Sequence, residues 1–227
     1  MKIAGLQKTT LLDYPGYVAA TVFTAGCNLR CPFCHNADLI SLNSSTFSED
    51  YILSFLSKRV GKLDGVCITG GEPTIQPDLP DFIKAIREMG FKIKLDTNGF
   101  NPDMLSFLLS GRLLDYCAID IKSSLANYEL LSGVKGLDTK AFKKSVSLLM
   151  SSDIDYEFRT TVVSPYHTSR DFEAISDMIS CANAYYLQKF KPSESVADQN
   201  CTTPSDEFID NALKICRRNI KNVYLRG

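Results

Sequence analysis

The chain has 227 residues, 44% hydrophobic and 22% charged, an ordinary globular composition that argues against disorder, collagen-like repeats and coiled coil. Twenty-five Lys and Arg against 26 Asp and Glu leave a formal charge of −1, so no global basic field draws in nucleic acid or an anionic membrane. The length suits one domain, residues 1–227; the unusual feature is eight cysteines, in a chain too large to need disulfide staples.

Along the chain, Met1-Lys2-Ile3-Ala4-Gly5 runs into Gln7-Lys8-Thr9-Thr10 without an apolar signal core, and no stretch of about eighteen apolar residues follows. A cytoplasmic protein is expected, where clustered thiols more often bind metal or do chemistry than form disulfides. Apolar, β-branched runs predict strands at 17–24, 64–69, 91–96, 115–120, 156–163 and 184–190. Helix-period segments between them predict helices near 48–59, 79–89, 102–110, 138–151, 168–181 and 204–219. Start signals support several: Ser48 ahead of Glu49 and Asp50, Asn101-Pro102, and Pro204-Ser205-Asp206-Glu207. Strict strand–helix alternation predicts an α/β fold with a parallel sheet covered by helices. Since a full eight-unit barrel takes about 250 residues, six units predict an incomplete (β/α)6 TIM-like barrel, with a doubly wound open sheet as the alternative. Residues 191–203 read as a surface loop.

Cys27, Cys31 and Cys34 form a C-x3-C-x2-C loop directly after the first predicted strand, at the mouth where parallel β/α folds place their chemistry. Three thiolates on a short loop suit a 4Fe–4S cubane with one iron free of protein ligands, whereas four are usual where the cluster only carries electrons. The missing ligand implies an open position for a substrate or cofactor, by the logic that separates catalytic from structural zinc. The alternative is zinc with His35 as fourth ligand, although Cys3His sites normally split their ligands between two distant pairs. Ligation requires a depressed thiol pKa, which iron itself and Arg30 could supply. Of the other thiols, Cys67 and Cys117 lie in strand patterns and Cys181 and Cys216 in helical ones, and Cys201 shares no ligand spacing with them; small core hydrophobes are expected. Gly70-Gly71-Glu72-Pro73 follows the second predicted strand, its glycines permitting close backbone approach to a ligand, or an ordinary βα turn.

The cysteine loop followed by Gly70-Gly71-Glu72-Pro73 resembles the radical S-adenosylmethionine (SAM) superfamily. Asp13-Tyr14-Pro15-Gly16, Gly26-Cys27-Asn28, Cys34-His35-Asn36, Asp96-Thr97-Asn98-Gly99 and Asp120-Ile121-Lys122 narrow the resemblance to the glycyl-radical-enzyme activases. Within that group the match is best with the activating proteins of anaerobic ribonucleoside-triphosphate reductase. Tyr14 stands where pyruvate formate-lyase activases have glycine, which favours this branch, and no second cysteine-rich insertion follows residue 40.

The resemblance implies an oxidoreductase whose cluster, on Cys27, Cys31 and Cys34, is chelated at its free iron by SAM. It implies reductive cleavage to methionine and a 5′-deoxyadenosyl radical, which abstracts the α-hydrogen of a glycine in a partner glycyl radical enzyme, anaerobic ribonucleotide reductase first. A flavodoxin- or ferredoxin-type reductant goes with this; nucleic acid and membrane do not. It further implies that Phe33 packs near adenine and that the Gly70, Gly71 and Glu72 turn meets the SAM ammonium; for His35 beside them, a neutral hydrogen-bonding role and proton transfer are both open. Lys122 would neutralise the methionine carboxylate; Asp96, Thr97 and Asp120 would border a monovalent cation beside it. Asn98 is expected at the cofactor or, like Asn101, as a helix cap. Arg159, a charge inside a strand pattern, is expected in the barrel lumen; Gln188 and Lys191 fall where related activases contact SAM, and His167 reads as a surface residue on a loop at the mouth. Alternatives are activation of another glycyl radical enzyme of the pyruvate formate-lyase type, radical chemistry on a small molecule or peptide, or a non-catalytic metal-binding or electron-transfer module.

Overall fold

The computed structural model describes residues 1–44 and 46–226. Seven parallel strands follow in sequence order: β2 (Ala19–Thr24), β3 (Gly65–Gly70), β4 (Lys92–Thr97), β5 (Tyr116–Asp120), β6 (Asp155–Val162), β7 (Tyr185–Lys189) and β8 (Val223–Arg226). An N-terminal strand, β1 (Ile3–Thr10), pairs antiparallel with β2, and the sheet ends at β1 and β8. A doubly wound sheet reverses its strand order at a switch point; the sequential order here fits a partial barrel instead. Among the described residues no helix is long and apolar enough to cross a membrane.

The helices are α1 (Glu49–Ser57), α2 (Leu79–Glu88), α3 (Pro102–Ser110), α4 (Tyr128–Ser132), α5 (Thr139–Met150), α6 (Ser169–Met178) and α7 (Asp206–Cys216). The predicted caps are in use: Ser48, Asn101 and Ser205 accept from the backbone N–H of Tyr51, Met104 and Phe208, each at 3.2 Å. Each such contact satisfies one otherwise orphaned donor of a first turn.

Four elements depart from the sequence-based expectation. β1 is not expected from the sequence, because it carries the polar run Gln7-Lys8-Thr9-Thr10; it pairs with β2 and, at Ile3, bridges Phe47. The four-residue β8 and five-residue α4 are too short to show a period. The predicted helix to residue 181 ends at Met178, and Cys181 is exposed with φ +66° rather than packed. Residues 191–203 contain no helix or strand, yet Val196 and Cys201 are buried there against Leu29, Phe33, Leu131 and Phe190.

Period-two alternation divides each strand. Val22, Val66, Ile68, Ile93, Leu95, Cys117, Ile119, Phe158 and Leu187 share one apolar core with helix residues such as Ile83, Leu108, Phe142, Leu149 and Phe172. The intervening positions turn inward and are mostly polar: Thr21, Cys67, Lys94, Tyr116, Glu157, Arg159 and Tyr186. Tyr14 closes the end of this lumen where the strands begin: its ring is 1% exposed, edge-on to Tyr17 and Tyr116 with centroids at 4.9 and 6.0 Å. Beside it Asp13 Oδ2 accepts from Thr21 Oγ1 at 2.6 Å. The Asp13-Tyr14-Pro15-Gly16 motif is therefore a floor plug at the opposite end from the cysteines.

Tyr14→Ala is expected to destabilise the fold by about 3 kcal/mol, the usual cost of emptying a buried aromatic site. Urea unfolding measures it; a loss below about 1 kcal/mol would show that the floor repacks without the ring.

Candidate active site

The cysteine loop leaves the C-terminal end of β2 and is held by backbone hydrogen bonds from several segments. Gly26 N–H donates to Leu39 C=O at 2.7 Å, Glu72 N–H to Gly26 C=O at 2.7 Å, Arg30 N–H to Ser132 C=O at 2.7 Å and Asp198 N–H to Pro32 C=O at 3.0 Å. Leu29 and Phe33 are buried as apolar anchors, and the three thiols lie between and beside them. The loop after β3 lies against this one at backbone distance. A Cβ on Gly71 would stand 2.0 Å from the Gly26 carbonyl oxygen, and Gly70 sits at φ +116°. Only glycine meets both conditions.

Glu72 fastens the joint. Fully buried, its Oε1 accepts from Thr74 N–H at 3.0 Å, Thr74 Oγ1 at 2.5 Å and Thr97 Oγ1 at 2.7 Å, and its Oε2 from Asn98 N–H at 2.6 Å. Burial raises its pKa while these donors pull it back. Asn98 donates through Nδ2 to Asn28 Oδ1 at 2.7 Å and reaches Cys27 Sγ at 4.0 Å, so it braces the cysteine loop and leaves capping of α3 to Asn101.

Below the loops lies a ladder of alternating charge. Lys94, 1% exposed, pairs with Asp96 Oδ1; Arg159 donates from Nη1 to Asp96 Oδ2 at 3.0 Å and from Nε to Asp120 Oδ1 at 2.7 Å. Lys122 Nζ meets Asp120 Oδ2 at 3.3 Å. Burial alone would raise both carboxyls; Arg159 first, then Lys94 at Asp96 and Lys122 at Asp120, hold them below the usual carboxylate range. On β6 itself, two residues before Arg159, fully buried Glu157 receives a bidentate Arg226 from β8 at 2.9 and 3.0 Å and the Tyr116 hydroxyl at 3.0 Å.

A cavity of about 260 Å³ opens at this end of the barrel. Its walls bring together Cys27, Cys31, Phe33, Cys34 and His35 from the first loop, Gly70, Gly71 and Glu72 from the second, and Asp96, Asn98, Asp120, Lys122 and Arg159 from β4 to β6. Thr97 and Gln188 also line it, whereas Lys191 lines an adjoining cleft with His35 and Gln188.

Burial pushes the Cys31 thiol up to about 12 and raises Cys27 as well; Lys122 is the cation that pulls both back. Arg30, expected in that role, spends its guanidinium on the Cys27 and Leu29 carbonyls at 2.6 and 2.7 Å. His35 Nε2 donates to the Lys191 carbonyl at 2.7 Å. Among the described residues no three His, Cys, Asp or Glu side chains converge on a single-ion position. Three thiols on one cavity wall, with a histidine turned to a carbonyl, fit a cluster that keeps an open iron better than a Cys3His zinc site.

His167 corrects a sequence-based expectation. It is 6% exposed rather than at the surface, with Nε2 donating to the Lys122 carbonyl at 2.9 Å and Nδ1 accepting from Val163 N–H at 3.1 Å. Burial lowers its pKa, and it serves as a neutral prop that fixes the backbone of Lys122. Sequence reasoning also missed Lys94, Glu157 and Arg226. The signal was present for the first two: Lys92-Ile93-Lys94-Leu95-Asp96 and Tyr156-Glu157-Phe158-Arg159 alternate charge with apolar side chains at period two.

Residues 21–179 match the sequence profile of the radical SAM superfamily. A Methanocaldococcus jannaschii protein, provisionally named a glycyl-radical enzyme activating enzyme, is 28% identical over 99% of this chain and 95% of its own length. The pyruvate formate-lyase-activating enzyme of Clostridium pasteurianum is 31% identical over 53% of this chain and 52% of its own. In three dimensions the fold is similar to Streptococcus suis SuiB bound to its precursor peptide SuiA, with a TM-score of 0.66 and 17% identity over 91% of this chain and 48% of that one. With its profile match covering most of the partial barrel, including the three-cysteine loop, the chain belongs to the radical SAM superfamily and is a radical SAM enzyme.

Proposed function

We propose that this protein activates a glycyl radical enzyme, with Cys27, Cys31 and Cys34 holding a 4Fe–4S cluster whose fourth iron is left to SAM. The observation that carries the reading is the three-thiol loop facing, across one cavity, a floor that ends in Lys122. Similarity along almost the whole chain to a provisionally named activating enzyme supports it. Bound and reduced, the cluster supplies one electron that splits SAM into methionine and a 5′-deoxyadenosyl radical.

The chain's own residues bind, orient and exclude water. Phe33 offers a buried aromatic edge beside the last cysteine, and the His35 and Gln188 side of the cavity provides polar contacts for the nucleoside end. Lys122 is placed to meet the methionine carboxylate, held by Asp120 at its side chain and by His167 and Tyr128 at its backbone. The sheet ends at β1 and β8, which are not neighbours in it, so a side of the barrel is left unclosed by the sheet, which suits a protein segment as the source of the hydrogen atom. The 5′-deoxyadenosyl radical would take the α-hydrogen of a glycine, leaving 5′-deoxyadenosine and a glycyl radical. Anaerobic ribonucleotide reductase is the proposed partner, on the motif resemblance, and a flavodoxin or ferredoxin the proposed electron source.

Cys27→Ala, Cys31→Ala and Cys34→Ala are each expected to lose the cluster absorbance and 5′-deoxyadenosine formation after anaerobic reconstitution. A variant that keeps both would remove that cysteine from the ligand set. For the partner, reduced enzyme, SAM and anaerobic ribonucleotide reductase should give a glycyl radical doublet by electron paramagnetic resonance; 5′-deoxyadenosine without the doublet would reject this partner.

Lys122→Met should keep the cluster and weaken SAM binding about tenfold, as expected for loss of one charged hydrogen bond. Equilibrium titration of the reconstituted protein measures it, and unchanged affinity would place the carboxylate elsewhere.

A further inference from the structure

The family resemblance brings a monovalent cation to Asp96, Thr97 and Asp120, and the residues present do not fit one. Every carboxylate oxygen of the pair already faces a cationic donor. Asp96 Oδ1 is taken by Lys94 Nζ, Asp96 Oδ2 by Arg159 Nη1, Asp120 Oδ1 by Arg159 Nε and Asp120 Oδ2 by Lys122 Nζ. The Thr97 hydroxyl donates to Glu72 and accepts from Gly99 N–H at 3.1 Å. A metal ion there would have to displace these donors and sit against three positive groups, with no gain in ligands over water.

Lys94 is the group that tips the balance. Within the chain of ion pairs that joins Asp96 and Asp120 to Arg159 and Lys122, Lys94 adds a third cation; Glu157, 3.8 Å from Arg159, is matched by Arg226, and Glu72 is held by the neutral donors of Thr74, Thr97 and Asn98. The Lys94 ammonium is enclosed rather than tethered at a surface, 1% exposed, 3.8 Å from Cys67 Sγ and 5.8 Å from the centre of the Tyr116 ring. A lysine fixed in this way cannot swing out to admit an ion, and it leaves Arg159 and Lys122 free to share their charge with an incoming anion.

We infer that the Lys94 ammonium, paired with Asp96 beneath the lining of this cavity, takes the place of a metal cation, so that the site binds a carboxylate, that of SAM on the reading above, without any monovalent cation. The cation beside Asp96 comes from the chain itself and is present before any ligand arrives. Occupancy of the floor is then insensitive to the sodium or potassium content of the medium, apart from general ionic screening.

The test compares potassium chloride with tetramethylammonium chloride at one ionic strength, using thallium(I) as a direct probe of cation binding. Wild-type protein should cause no specific 205Tl resonance shift or broadening, and its SAM dissociation constant, by titration of reconstituted protein, should agree within twofold between the two salts. Lys94→Ala, which opens space beside Asp96, should acquire a thallium signal, a thermal midpoint raised by potassium, and SAM affinity at least tenfold weaker in tetramethylammonium than in potassium. Lys94→Met, which fills the space without charge, should weaken SAM in both salts alike. A wild-type thallium signal abolished by Asp96→Asn, or wild-type SAM affinity improved fivefold or more by potassium, would overturn the inference; so would a folded Lys94→Ala variant indifferent to both ions. Should Lys94→Ala fail to fold in either salt, the two wild-type measurements decide. Absence of SAM binding in every condition would count against the functional reading, while the thallium arms would still decide the cation question.

Discussion

Arg159 is the contact on which the site depends. It leaves β6 inside the lumen and reaches both Asp96 at the end of β4 and Asp120 at the end of β5, so one guanidinium fixes the spacing of three strand ends. Its planar fork can serve two carboxylates in different directions, which a lysine in its place could not. Buried ion pairs seldom add much net stability, because desolvation offsets the attraction. A lumen filled with Lys94, Asp96, Arg159, Asp120 and Glu157 rather than Val or Leu therefore points to binding chemistry. Truncating Arg159 would leave two carboxylates short of charge together, coupling the floor of the site to the stability of the barrel.

The cysteine loop answers to a different constraint, close packing of backbone on backbone. Gly71 brings the second loop onto Gly26, and Glu72 then ties that loop to Thr97 and Asn98, whose side chain returns to the first loop at Asn28. Thiols, turn and strand ends thus form one closed circuit of contacts. Burial raises the Cys27 and Cys31 thiols, so on the proposed ligation cluster binding would be coupled to proton release. Lys122 ties the halves together: it lowers the cost of thiolate at Cys27 and Cys31, and its ammonium also faces the cavity.

Much of this was legible in the sequence, for stated reasons. Six strands and the helices between them follow from apolar period and from caps such as Ser48 and Ser205, which report local physics. Cysteine spacing and the Gly70-Gly71-Glu72-Pro73 turn are likewise local and marked the cavity walls. What sequence could not supply were contacts set by the barrel's closure. Glu157 with Arg226 and His167 with Lys122 join residues far apart in the chain, and Tyr14 sits under the barrel although its motif precedes the cysteine loop closely. Lys94 was hidden differently: a lysine within a strand reads as solvent-facing until the inner face of the sheet is known to be the site.

The central claim is that three cysteines leave one cluster iron to SAM. Electron–nuclear double resonance of the reduced, reconstituted protein with SAM labelled at its amino nitrogen and carboxylate carbon tests this most directly. Hyperfine coupling from both labels to the cluster spin is the result predicted here. A cluster spectrum unchanged by SAM, with neither label coupled, would contradict it.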